Sequence, residues 1–168
     1  MTFFKKWGST IIIAAVIIVQ TTLLKNVRLA GAKPDFALIL LIFFANHRGR
    51  MEGQLLGFLS GILEDLLSLS PLGFTMLIKT VAGYIFGLTK GKIFVDPILM
   101  PIVLAAAGTL LKILLSFILA AIFLDESMIQ MVFGEKVWIA LGFNALLAPF
   151  IFGFMKIFKI YKVRQERF

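Results

Sequence analysis

The sequence predicts an all-α polytopic membrane protein with six transmembrane helices. Three observations carry that reading. Hydrophobic residues make up 60% of the 168-residue chain, the 14 glycines raise the apolar share to about two thirds, and mean hydropathy is +1.00. Charged residues are only 15%, against about 25% in a soluble protein. The charges also fall between long apolar runs rather than being spread along the chain. A soluble fold of this size cannot bury two thirds of its residues, because a ~150-residue domain hides only about 70% of its chain surface. Soluble enzyme, disordered chain and nucleic-acid module are excluded by composition, and no alternating barrel pattern is present. At ~20 residues per span, this length holds five or six helices in a single integral domain.

The first expected helix, at about 7–24, is uncharged and follows Lys5 and Lys6. At ~1.5 Å per residue it reaches about 27 Å, and Trp7 suits an interface. A signal peptide is the rival reading, with Ala30-Gly31-Ala32 resembling a cleavage site. Lys25 and Arg28 separate the apolar run from that site, so the run reads as a retained helix.

Pro34-Asp35 opens the second helix, at about 34–46, with proline in the first turn and aspartate at the positive dipole end. This segment is short for a full span. His47, Arg48, Gly49 and Arg50 form the expected basic turn after it, where one histidine without partners makes no metal site. The third helix covers about 51–67 and stops at Ser68–Pro71. The fourth covers about 72–89, before Lys90-Gly91-Lys92.

Asp96-Pro97 opens the fifth helix, at about 97–124. Asp125, Glu126 and Glu135 mark an acidic loop, and the sixth helix covers about 137–158 with Pro149 inside it. The tail at 159–168 continues a basic series of Lys156, Lys159, Lys162, Arg164 and Arg167. Interleaved with Ile157, Phe158, Ile160 and Tyr161, these bases read as an anchor on anionic lipid or a docking segment for a cytoplasmic partner. With six spans, eleven basic residues lie on the side of the termini and four on the other, which predicts cytoplasmic termini. Leu-Gly-Phe recurs at 56–58, 72–74 and 141–143, too weakly to define a repeat.

No phosphate-cradling loop, GxSxG or HExxH is present, and the absence of cysteine removes disulfide, zinc and thiol chemistry. No catalytic residue, cofactor or metal is therefore expected. Two kinds of signal remain. Gly53, Gly57 and Gly61 form a row on the third helix, continued by Asp65, and Lys79, Gly83 and Gly87 form a row on the fourth. Such rows let two backbones approach closely, and the tight turn between them implies an antiparallel hairpin. Reflection about that turn sets Lys79 level with roughly Ser60. Glu64 or Asp65 then comes within reach, with Asp65 favoured because it continues the glycine row.

The second signal is charge inside helices. Lys112, in the row Gly108, Lys112, Ser116, Ala120, lies near the middle of the fifth helix. A charge at the bilayer centre costs ~2.5–3.5 kcal/mol on insertion scales, so Lys112 should face the interior, with Asn144 as a possible neighbour. Glu64, Asp65, Lys79 and Lys112 sum to zero. The plainest reading is a polar lock that fixes helix order. A proton or ion path and an anionic-ligand pocket on the two lysines are the alternatives. Adjacent carboxylates such as Glu64 and Asp65 diverge by ~100° around a helix, which argues against a facing catalytic pair.

The combination of Pro34-Asp35, Gly49, Gly53, Gly57-Phe58, Gly61, Asp65-Leu66, Ser68 and Pro71-Leu72-Gly73 resembles the MreD family of bacterial rod shape-determining proteins, over roughly residues 34–90. The resemblance implies a non-catalytic scaffold of the cell-elongation machinery in the cytoplasmic membrane. It implies binding to the bitopic protein MreC, with MreB, RodA and a transpeptidase in the wider complex for lateral-wall peptidoglycan synthesis. It also implies a six-helix fold like that of the substrate-binding subunit of energy-coupling-factor vitamin transporters. That likeness supplies the alternative function, a vitamin-binding membrane subunit with an outward pocket. Such a subunit usually offers small residues on its first helix, where this chain has only Ala14 and Ala15 adjacent.

Overall fold

The computed structural model describes residues 2–22, 34–68, 71–91, 98–123 and 136–157. Within them the chain is helical, with no strand: α1 (Thr2–Thr22), α2 (Phe36–Arg48), α3 (Arg50–Leu67), α4 (Phe74–Gly87), α5 (Leu99–Phe123) and α6 (Lys136–Ile157). Two stretches, Leu99–Ile122 and Val137–Lys156, are long and apolar enough to cross a membrane by themselves, while Gly8–Thr22, Phe36–Arg48 and Phe74–Gly87 are shorter apolar stretches. The expected loops with Ala30-Gly31-Ala32, Lys25, Arg28 and Lys33, with Lys92 and Asp96-Pro97, and with Asp125, Glu126 and Glu135 lie outside the described residues, as do Leu124 and the tail from residue 158.

α2 is the centre of the bundle. Its sequence, FALILLIFFANHR, has no polar face, and a helix that is apolar all round is a buried helix. Every residue from Ala37 to Ala45 is buried, and α1, α3, α4, α5 and α6 all pack on it. Phe43 meets Phe152 of α6 edge to face, with centroids 5.0 Å apart at 78°. Ile13 and Ile17 of α1, one helical turn apart, complete the same core.

α2 runs to Arg48, so the expected basic loop shrinks to one residue. Gly49 holds φ 102°, a conformation that favours glycine, and turns the chain directly into α3. His47 is thus in the last turn of α2 rather than in a loop. Its Nδ1 donates to the Phe43 carbonyl at 2.8 Å, and its ring stacks on Phe43 at 4.3 Å between centroids.

α3 and α4 form the closest pair in the molecule, antiparallel and in backbone contact. A Cβ on Gly53 would strike the Gly83 carbonyl, one on Gly57 the Lys79 carbonyl, and one on Gly61 the Met76 Cα. Gly83 and Gly87 meet the backbones of Gly53 and Arg50 in return. The register therefore sets Lys79 level with Gly57, nearly a turn from the expected Ser60. The three Leu-Gly-Phe glycines share no role: Gly57 is packed solid, Gly73 sits in a turn at φ 94°, and Gly142 has open space at its Cβ position.

α5 and α6 pair with each other, and they lean on α2 and, through α5, on α4. Gly108, Ser116 and Ala120 of the α5 row are buried, and Gly108 admits Ile42 and Phe86 to its backbone. Pro149 lies within α6, which continues through it. The remaining faces of both helices are apolar and exposed, including Val103, Leu114, Ile122, Leu146 and Phe150.

Candidate functional site

Charged and polar side chains converge where the first turn of α2 meets its neighbours. Asp35 caps α2, accepting from the Leu38 amide at 3.0 Å through its own carboxylate. The Asp35 amide donates to Asn144 Oδ1 at 2.9 Å, and the Ala37 amide donates to Gln20 Oε1 at 3.3 Å. Three of the amides that a helix N-terminus leaves open are thus closed by side chains from α1, α6 and the cap itself. Asn144 is 2% exposed and spends its amide nitrogen on Thr109 Oγ1 of α5 at 3.1 Å.

Lys112 forms an ion pair with Asp35. Asn144, the neighbour expected from the sequence, meets Lys112 through a shared residue: both converge on Asp35, Lys112 on its carboxylate and Asn144 on its amide. In the sequence Asp35 marks only the opening of a helix. Its role as counter-ion has no local signature, because its partners lie 77 and 109 residues away in sequence.

Lys79 is 1% exposed and pairs with Glu64. The expected preference for Asp65 is overturned. Asp65 does continue the glycine row into the hairpin contact, but there it meets the backbone of the α4 entry. It accepts from the amides of Gly73 at 2.9 Å and of Thr75 and Met76 at 3.1 Å. A carboxylate in that position neutralises the positive end of α4. Glu64, about 100° around α3, is the one free to meet the lysine. Among the described residues the interior acids number three rather than two, since Asp35 joins Glu64 and Asp65. Asp65 is matched by amides and the other two by lysines.

The two ion pairs are neighbours. Lys79 also acts electrostatically on Asp35, and Glu64 on Lys112. The cluster links α2, α3, α4 and α5 through charge, and α1 and α6 through Gln20 and Asn144. Two grooves open on the surface of the bundle. One, of about 250 Å³, lies between α1 and α3 and is lined by Thr10, Ile13, Ala14, Leu56, Ser60 and Leu63 among others. The other, of about 650 Å³, lies along α5 and α6 beside Ile102, Gly142, Ala145 and Pro149. Neither is lined by Lys79 or Lys112. Among the described residues no group of three or more His, Asp or Glu side chains is placed to hold a metal ion.

At the opposite end, Arg48 pairs with Glu52 at 3.2 Å, and Lys90 Nζ donates to the Arg48 carbonyl at 2.9 Å. Thr89 Oγ1 donates to Asn46 Oδ1 at 2.8 Å, so α2 and α4 end level with each other. Lys156 is exposed in the last turn of α6, while Lys159, Lys162, Arg164 and Arg167 lie outside the described residues.

These features define a class: an all-helical bundle of apolar, membrane-type helices around a short buried helix, with its interior charges matched internally. The family model of the rod shape-determining protein MreD matches residues 1–158 of the chain. The chain belongs to the MreD family. No curated protein and no solved structure matches it.

Proposed function

We propose that this rod shape-determining membrane protein acts as a non-catalytic scaffold of the cell-elongation machinery. It crosses the cytoplasmic membrane six times, with both termini in the cytoplasm. It binds MreC and so supports lateral-wall peptidoglycan synthesis, with MreB, RodA and a transpeptidase in the wider complex. The observation that carries this reading is the family match over residues 1–158. The interior chemistry agrees with it. Lys79 and Lys112 each face a carboxylate from another helix, so the charges are engaged in holding helices together as a polar lock. The exposed apolar faces of α5 and α6 are suited to lipid and to transmembrane partners. The basic series from Lys156 to Arg167 provides contacts to anionic lipid at the cytoplasmic surface.

Depletion of the protein tests the reading. Rod-shaped cells should become round, and in-cell cross-linking should recover MreC with the chain. A normal shape after depletion, together with a micromolar vitamin-sized ligand that raises the melting temperature, would overturn it in favour of a transporter subunit.

A further inference from the structure

The geometry points to a binding site for an anionic phospholipid on the lipid-facing flank of the α3–α4 hairpin, at the end that carries Arg50 and Lys90. This rests on the membrane-spanning reading above, which sets that end at the cytoplasmic leaflet.

The flank follows from the way the two helices pair. Gly53 and Gly57 of α3 meet Gly83 and Lys79 of α4 backbone to backbone. A residue one position after such a contact lies ~100° further around its helix. Because the helices are antiparallel, those positions turn to the same side of the hairpin. They are Gln54 and Phe58 on α3, and Tyr84 and Leu88 on α4, and all four are exposed. The residues one position before the contacts, Leu56, Ser60, Ile78, Ala82 and Phe86, turn to the opposite side and are buried.

The open flank is layered along the membrane normal. Arg50, exposed, lies one turn of ~5.4 Å to the cytoplasmic side of Gln54. Lys90 bends over Gly49, where a Cβ would lie 3.0 Å from its Cδ, and donates to the Arg48 carbonyl at 2.9 Å. A carbonyl fixes the ammonium without neutralising it. Among the described residues, neither Arg50 nor Lys90 meets a carboxylate, and the one acid at this end, Glu52, is taken by Arg48. Deeper come Gln54 and Tyr84, uncharged groups that make no side-chain hydrogen bond to a described residue. Deeper again, Phe58 and Ile62 present only hydrocarbon.

A glycerophospholipid offers its groups in the same order: phosphate, ester carbonyls, acyl chains. Arg50 presents a fork that fits phosphate oxygens, and Lys90 adds a point charge. The Gln54 amide and the Tyr84 hydroxyl can donate to the ester carbonyls, where no bulk water competes for them. The two unneutralised cations select a lipid with net negative charge over a zwitterionic one, which brings its own cation. An acidic protein segment would match the charges but not the descending series from Gln54 to Ile62.

Tryptophan fluorescence reads the site. The natural tryptophans are removed by Trp7→Phe and Trp138→Phe, and a single reporter is placed by Phe58→Trp or, as a control on the exposed face of α5, by Leu110→Trp. The full chain is reconstituted in dioleoyl vesicles in which either the phosphatidylcholine or the phosphatidylglycerol carries bromine, a quencher, on its acyl chains. At the Phe58→Trp reporter, phosphatidylglycerol should bind about threefold or more tightly than phosphatidylcholine, and at the Leu110→Trp reporter about equally. Arg50→Gln with Lys90→Gln should bring the first ratio to about one. Quenching by brominated phosphatidylcholine alone should stay unchanged, which shows that the bundle remains inserted. A ratio near unity before those two substitutions would overturn the lipid site and leave the basic end to an acidic protein surface. Equal preference at both reporters, or preference that survives both substitutions, would show general attraction to surface charge and overturn the site as well. Absence of quenching by either lipid at either reporter would instead overturn the membrane-spanning reading.

Discussion

Gly57 of α3 lies directly against the main-chain carbonyl of Lys79 on α4, so a peptide group occupies the place where a side chain would begin. The same register puts the Lys79 side chain in the bundle interior, where Glu64 meets it. Backbone contact and charge pairing are therefore two consequences of one alignment.

Substitution at the contact should be severe. Gly57→Leu drives a side chain into backbone, which unlike a side-chain tip cannot move aside. Overpacking a core typically costs ~1–3 kcal/mol, and loss of this hairpin should reach or exceed the upper end. Phe58→Leu, at a residue 39% exposed on the other face, should be nearly neutral. Thermal unfolding in mild detergent compares the two, and equal tolerance would mean that the hairpin is not in backbone contact.

A double-mutant cycle should single out Glu64. Removing one member of a buried pair strands the other and costs ~3–5 kcal/mol in a dry interior, or less where water has access. Lys79→Leu should therefore destabilise the protein, and Glu64→Gln in the same chain should recover part of the loss. The corresponding cycle with Asp65→Asn should be additive within about 0.5 kcal/mol. Rescue by Asp65→Asn instead would reverse the assignment.

Asp65 should behave as a helix cap. Asp65→Ala opens the amides of Gly73, Thr75 and Met76, and loss of a cap costs ~0.5–2 kcal/mol. Hydrogen exchange should quicken at the start of α4 while the Lys79 pair persists. Asp65→Asn, which keeps one acceptor oxygen, should fall between Ala and wild type.

The Asp35–Lys112 pair should prove removable as a unit. Lys112→Met strands a carboxylate, and Asp35→Asn strands an ammonium. The double variant leaves neither, while Asn still caps α2. It should be more stable than Asp35→Asn alone, and a double variant weaker than both singles would refute the pairing.

The eleven-to-four bias in basic residues predicts topology. A reporter fused after Phe168 should read cytoplasmic, and one inserted at Glu126–Ser127 should read external. A periplasmic tail would exclude six spans.

What could be read in the sequence was what depends on short separations. The helices follow from apolar run length and from breakers such as Gly49 and Pro71. The α3–α4 hairpin follows from four-residue glycine spacing. The sequence leaves two adjacent acids as partners for Lys79, and the glycine row points to the wrong one because the helix-to-helix contact ends before Asp65. At Asp65 that row no longer meets a helix flank but the open amides of the next helix. A sequence pattern ranks side chains by face, and here the decisive group was backbone. Lys112 presented the opposite difficulty. It sits mid-helix on α5, yet its partner caps a different helix, because α2 is shorter than α5. Unequal helix heights are a tertiary property with no periodic trace.

The closure of α2 has a consequence for the order of events during synthesis. Its cap is completed by Asn144, 109 residues downstream of Asp35. At ~5–20 residues per second, the ribosome delivers that side chain roughly 5–20 s after Asp35. Until then the central helix keeps an open amide in a partly assembled bundle, although Lys112, made 32 residues earlier, can already meet the carboxylate. A nascent chain arrested before α6 should therefore be a substrate for membrane proteases or insertion chaperones, and release of the final helix should end that exposure.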